Sequence, residues 1–299
     1  MGQIQRPACM DVSNTVDVSA PAAVKEAVGS LLSRTYHGLD RAVLDALFDD
    51  VERLYTGHYP GFRACDIHYH NLQHVLDVTL AMARLLDGHA RRQGKRGRLS
   101  QDMVLAGMAT ALFHDSGYIR RTRDTRNNNG AVYTRVHVSR GARFLADYLP
   151  LVGLSRLSGT CTRIIHFTGY EKSPDDIAVR GEHELLLGRL LGTADLIAQM
   201  ADIGYARKCR EHLYEEFVQG GMAGSRGDWT HTGTIYRSPE QLLRMTPSFI
   251  RSAIEDRLDG HFGGVHGYAA DHFGGAHLYM DAIRDNCRRL EAMLAAEGH

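Results

Sequence analysis

Apolar residues recur at intervals of three and four along most of the chain, the period of helices that bury one face. From Ala22, one stripe runs through Val24, Val28, Leu31 and Leu32 and a second through Leu39, Val43, Leu47, Val51 and Leu54, which predicts two amphipathic helices before a turn at Tyr59-Pro60-Gly61. From about Asn71 to Arg91 the apolar positions crowd all sides, so this segment predicts a central helix buried nearly all round. Met103, Leu105, Met108, Ala109, Leu112 and Phe113 mark another core helix, stopped at His114-Asp115-Ser116-Gly117. Further helices are predicted over about 131–148, 154–167, 182–200 and 203–219. After a stretch holding Leu242, Phe249 and Leu258, a closing helix covers about 277–294. No run alternates with the period of two that a strand requires, so the pattern predicts an all-α fold.

Between these helices the pattern lapses. Residues 1–21 are polar and aperiodic and read as a disordered tail, leaving residues 22–299 as a single domain with a C-terminal helical extension. Tyr118 to Gly130 carries Arg120, Arg121, Arg123 and Arg126 and reads as an exposed loop. Gly220, Gly221, Gly224 and Gly227, with Trp229, suggest a lid or surface loop over about 220–233. His261-Phe262-Gly263-Gly264 returns as His272-Phe273-Gly274-Gly275, two Gly-Gly turns between helices; a lining role for Phe262 or Phe273 against a base is the alternative.

Composition narrows the picture. Lys plus Arg and Asp plus Glu both number 35, so no global field would draw the chain to duplex nucleic acid or an anionic membrane, and an anionic substrate must be attracted locally. No window is apolar enough for a membrane span and the start lacks a secretory pattern, so the expected setting is cytoplasmic. The five cysteines are scattered without a Cys-x-x-Cys pair and read as reduced structural thiols. Histidine stands out at 17 residues.

The positions of those histidines give them meaning. His70 and His74 are four apart, on one helix face. His114-Asp115 ends a strongly apolar helix, and Asp195 interrupts the apolar run Leu190 to Ile197 as a lone carboxylate. A buried carboxylate is costly without a partner, and a metal ion is one. His137 and His166 lie on predicted helices between Asp115 and Asp195. Imidazole with carboxylate suits a divalent transition metal such as iron, manganese or zinc.

Tyr69-His70-Asn71-Leu72-Gln73-His74, then Phe113-His114-Asp115, then the distant Asp195, resembles the metal-dependent HD phosphohydrolase superfamily over about residues 52–202. The resemblance implies an HD-type helical bundle around a one- or two-metal site. His74, His114, Asp115 and Asp195 would hold the first ion, with Asp115 bridging to a second held by His137 and His166. It implies two roles for His70: a general acid, as in the cyclic-nucleotide phosphodiesterases that share the Tyr-His-Asn-x-x-His string, or a metal ligand, as the equivalent glutamate is in HD-GYP proteins. The literal string favours the acid, with Asn71 orienting or capping beside it.

The expected activity is hydrolysis of a phosphoester, most simply a phosphodiester in a nucleotide or cyclic nucleotide, by a metal-activated water. The expected partner is therefore a small phosphorylated substrate; homo-oligomerisation stays open. Tyr118 departs from the resembled enzymes, which carry a histidine or a phosphate-contacting lysine three residues after the aspartate. Tyr118, Arg120 and Arg121 join Asn71 as candidate substrate contacts, the arginines offering bidentate phosphate recognition. Two alternatives use the same residues: a di-iron oxygenase of the HD type and a non-catalytic, ligand-sensing HD module.

Overall fold

The computed structural model describes residues 6–224 and 236–297. It is all-helical, and among the described residues the only β contacts are three isolated bridges, Met10 with Asp17, Phe62 with Arg121 and Ala223 with Tyr236. The first helices are α1 (Pro21–Thr35), which opens on a proline at its first turn, and α2 (Arg41–Tyr55), capped by the Asp40 carboxylate on the Val43 N–H. They pack against α3 (Leu72–Gln93), whose residues Val78 to Ala90 are all buried. This is the central helix that the crowded apolar pattern requires.

α4 (Gln101–Phe113) is buried from Val104 onward and begins where the Ser100 hydroxyl accepts from the Met103 N–H. It packs against both α3 and the later α7 (Glu182–Ala201), which also pack directly on each other. Between α4 and α7 in the chain come α5 (His137–Leu151) and α6 (Ser155–Ile164), the latter followed by a 3-10 turn at Ile165–Phe167. The continuous helix expected from about 131 breaks into a 3-10 turn at Gly130–Tyr133 followed by α5, because the Thr134 carbonyl accepts from a side chain, His137 Nδ1 at 2.7 Å, beside that break.

The helix expected over 203–219 is also divided, into α8 (Tyr205–Lys208), a π turn at Cys209–Leu213 and α9 (Tyr214–Gln219). A π turn adds a residue to the helical ring and rotates everything downstream of it. α10 (Pro239–Ser252), a second π segment at Ala253–His261, α11 (Gly267–His272) and α12 (Leu278–Glu297) complete the chain. One apolar cluster runs from Val18 to Leu290, so the C-terminal helices share the core of the rest.

The N-terminal segment differs from the disordered tail that its composition suggests. From Arg6 onward it is placed against the bundle, with Val18 in the core and Asp11 buried. The Asp11 carboxylate accepts from the Ser13, Thr15 and Val16 N–H groups and pairs with Arg84 at 2.6 Å, while Arg84 also donates to Tyr279 Oη on α12. A polar segment can order itself when each of its polar groups finds a buried partner.

The five cysteines are free, as expected. The Gly-Gly pairs of the repeated motif make left-handed turns, with φ of 66° and 69° at Gly263 and Gly264 and 67° and 104° at Gly274 and Gly275. Phe262 is buried against Phe167, and Phe273 lies under the Arg84 guanidinium; both are packing groups. The expected lid over 220–233 falls mostly outside the described residues. No described helix is long and apolar enough to cross a membrane.

Candidate metal centre

Three helices deliver the cluster. Asn71 caps α3 by accepting from the His74 N–H at 3.1 Å, which fixes His74 on the first turn. At the end of α4, His114 Nδ1 donates to the Ala111 carbonyl at 2.8 Å and leaves Nε2 facing inward. Asp195 projects from the buried middle of α7. His74 Nε2 lies 3.4 Å from both Asp115 Oδ2 and Asp195 Oδ1, and His114 Nε2 lies 3.2 Å from Asp115 Oδ2 and 3.9 Å from Asp195 Oδ1.

These groups converge without satisfying one another. His114 Nε2 and Asp115 Oδ2 are buried and have no hydrogen-bond partner. His74, His114 and Asp115 each offer a ligand atom within 4.8 Å of the others. Two imidazole nitrogens and two carboxylates around unpaired buried atoms fit a divalent transition metal, since leaving them unpaired would cost several kcal/mol, about 1–3 per group. The electrostatics agree. Burial opposes charge on His74, yet Asp115 and Asp195 outweigh it and raise its pKa to about 10. Burial likewise opposes ionisation of Asp115, and the facing His114, His70 and His74 hold it well below the usual carboxylate range. A cation would take over from the protons that these histidines otherwise retain.

His137 joins the edge of the cluster, with Nε2 3.7 Å from Asp115 Oδ1 and Nδ1 committed to the Thr134 carbonyl. Burial lowers its pKa, which keeps the ring neutral, the form that ligates metal. His166 does not join. Its Nε2 faces the Lys172 ammonium at 3.4 Å, and burial followed by Lys172 lowers its pKa. The second-metal set expected from the resemblance is thus brought together at His137 and Asp115 but not at His166.

His70 sits beside this cluster and is held by a residue that the sequence did not single out. Glu216 on α9 accepts from the Tyr69 N–H at 2.5 Å through Oε1 and meets His70 Nδ1 at 2.6 Å through Oε2. The carboxylate fixes the proton on Nδ1 and leaves Nε2 free. The Tyr118 ring stacks on two histidines, its centroid 4.7 Å from that of His70 at 15° and 4.4 Å from that of His137 at 19°, and those two rings lie 6.2 Å from each other, tilted by 32°. It therefore forms the part of the cavity wall against which both rings pack. Gln199 is a second unforeseen member, accepting from Tyr69 Oη at 3.1 Å and donating to Asp195 Oδ1 at 3.3 Å.

The remaining candidates lie elsewhere. Asn71 spends its side chain on the cap and on the His68 carbonyl. Arg120 is neutralised by Asp66 at 2.6 Å, and Arg121 covers Phe62 and reaches Asp147 at 3.6 Å. Neither arginine lines the cavity that opens on the cluster. That cavity, about 580 Å³, has His70, Asp115, His137 and Asp195 at its polar end and Tyr170, Tyr205, Phe217, Tyr236 and Phe249 along its apolar side.

No family model matches the chain, and none of the curated proteins is similar to it in sequence. Among solved structures it is similar to the phosphodiesterase domain of the RhoPDE fusion protein from the choanoflagellate Salpingoeca rosetta, at 16% identity, over 98% of this chain and 96% of that one, with a TM-score of 0.59. At that identity the likeness speaks to the fold, which the two chains share almost end to end.

Proposed function

We propose that this chain is a metal-dependent phosphohydrolase of the HD type, acting on a phosphodiester of a nucleotide or cyclic nucleotide. One observation carries the reading: a ring held by a carboxylate, His70 with Glu216, lines the same cavity as Asp115 and Asp195, and the Asp115 Oδ2 is left unpaired beside the equally unpaired His114 Nε2. Paired in this way, a proton donor and a cation site can act on the two sides of one scissile bond. The structural likeness to a phosphodiesterase domain supports the same reading.

His74, His114, Asp115 and Asp195 would hold the ion, with His137 next to Asp115. When bound, the ion supplies Lewis acidity and an activated water. The chain's own residues do the rest. His70, its Nδ1–H held by Glu216, presents Nε2 to the leaving oxygen; with both ring nitrogens protonated, an imidazolium that the Glu216 carboxylate favours, it can give that oxygen the Nε2 proton and remain neutral with its Nδ1–H still on Glu216. Tyr118 packs against both the His70 and His137 rings and backs them at the polar end of the cavity. The aromatic side of the cavity excludes water and offers flat surfaces to a base.

The test is Asp115→Ala, purified beside the unaltered protein, analysed for bound metal and assayed on cyclic mononucleotides, cyclic dinucleotides and bis(p-nitrophenyl) phosphate. Metal and hydrolysis should disappear together. Hydrolysis that survives loss of the metal would overturn the reading, as would dioxygen consumption by an iron-loaded protein that cleaves no phosphoester.

A further inference from the structure

The turn that follows Asp115 has two faces. Tyr118 faces the metal centre, while Ser116, Gly117 and Ile119 line another cavity, of about 600 Å³. Five arginines converge on this second cavity: Arg121, Arg123, Arg126, Arg140 and Arg143. One carboxylate lines it, Asp124, and that group is already engaged by Tyr133 Oη and Asn127. In a chain with equal numbers of acidic and basic residues, such one-sided charge is local.

The charges are also poorly compensated. Among the described residues, Arg123, Arg126 and Arg143 have no ion pair. Arg140 donates only to backbone carbonyls, Gly117 at 2.7 Å and Ile119 at 3.4 Å, with its guanidinium stacked on Tyr133. Burial lowers the Arg140 pKa, with Arg121 and Arg143 adding to the effect. In the same wall the Ser116 Oγ is buried and has no hydrogen-bond partner. Convergent guanidinium forks beside an unused hydroxyl are a phosphate-recognising chemistry. The space exceeds what a single phosphate fills and lies in the range of small-molecule sites, about 300–1,000 Å³.

We infer that this cavity is a second ligand site, separate from the metal centre, for a small anion carrying two or more phosphate groups. Its arginines belong to the loop 120–126 and to α5, whereas the metal ligands come mainly from α3, α4 and α7. It does not depend on what reaction the metal centre performs. A single-stranded nucleic acid would use similar contacts, but the concave, bounded shape and the few exposed aromatic groups favour a small anion over a strand, which needs a groove with successive stacking platforms.

The experiment is calorimetric titration of inorganic pyrophosphate into the full chain after metal removal by a chelator. Saturable binding is expected, of similar strength in the unaltered protein and in Asp115→Asn. It should weaken by at least about 10-fold in the triple variant Arg123→Ala, Arg126→Ala, Arg143→Ala, because each arginine contributes a charge-assisted contact. These three side chains carry no ion pair, so the circular dichroism spectrum and melting temperature should not change. Absence of saturable binding, equal binding by the triple variant, or loss of binding in a folded Asp115→Asn would overturn the proposal. So would tight binding of an oligoribonucleotide that pyrophosphate does not displace.

Discussion

His70 has one ring nitrogen committed to Glu216 and the other free, so its two partners can be separated experimentally. His70→Ala removes the proton donor without touching His74, His114 or Asp115. Turnover should fall by about 10²–10⁴-fold, the range that a positioned general acid contributes, with metal content unchanged. Glu216→Gln keeps an acceptor for the Tyr69 N–H but loses the charge beside His70. A smaller loss is expected, about 10–100-fold, the scale typical when the orienting partner of a functional histidine is removed. Metal analysis with steady-state kinetics on both variants checks this, and loss of metal from His70→Ala would make His70 a ligand instead. The histidines and aspartates of the cluster were legible because each sits at a local irregularity: His74 just inside a capped helix start, His114 and Asp115 at a helix end, Asp195 alone in an apolar run. Glu216 was not legible. It lies in an ordinary acidic pair, Glu215-Glu216, and only a fold-level contact across 146 residues joins it to His70.

At the scale of elements, periodicity placed the long helices because burial writes the same three-and-four pattern whatever lies opposite. It misplaced the interruptions, which depend on hydrogen bonds with no periodic signature. The π turn at Cys209–Leu213 is the clearest case: the apolar stripe runs through it, yet the rotation it introduces sets which face carries Glu216. Close backbone approaches are likewise hidden in single glycines. At Gly88, in the middle of α3, a Cβ would lie 1.7 Å from the Tyr268 carbonyl oxygen of α11. Gly88→Ala must therefore push two helices apart and should cost about 1–3 kcal/mol or more. At Gly107 in α4 the nearest atoms are the ends of Met82 and Leu187, at 2.7 and 2.8 Å, which can swing aside. There the gain in helix propensity, about 0.5–1 kcal/mol, offsets the crowding, and Gly107→Ala should be close to neutral. Urea unfolding of the two variants distinguishes backbone collision from side-chain crowding; equal losses would show that the packing relaxes at neither site.

Across the whole molecule, the N-terminal segment shows why composition alone misjudged order. Its apolar content is low, but Asp11 gathers backbone N–H groups from its own turn and the Arg84 guanidinium from the central helix, and Arg84 continues to Tyr279 on the last one. One buried ion pair thus ties the beginning, middle and end of the chain together. Burial acts to raise the Asp11 pKa, but Arg84 and the Ser13 and Val16 hydrogen bonds prevail and lower it to about 2. A carboxyl whose folded pKa lies below its unfolded value binds protons more readily when unfolded. The resulting stabilisation is complete above about pH 4 and disappears as the pH falls through about 2, amounting to about 2 kcal/mol. Arg84→Leu leaves the Asp11 charge buried with hydrogen bonds but no cation, and should cost about 3–5 kcal/mol near neutrality. Because Arg84 no longer favours the ionised form, the decline of stability between pH 4 and pH 2 should become shallower in the variant. Chemical denaturation across that range measures both effects together, and a loss at pH 7 with an unchanged acid limb would mean that Arg84 acts through packing against Phe273 and Tyr279 instead of through its charge.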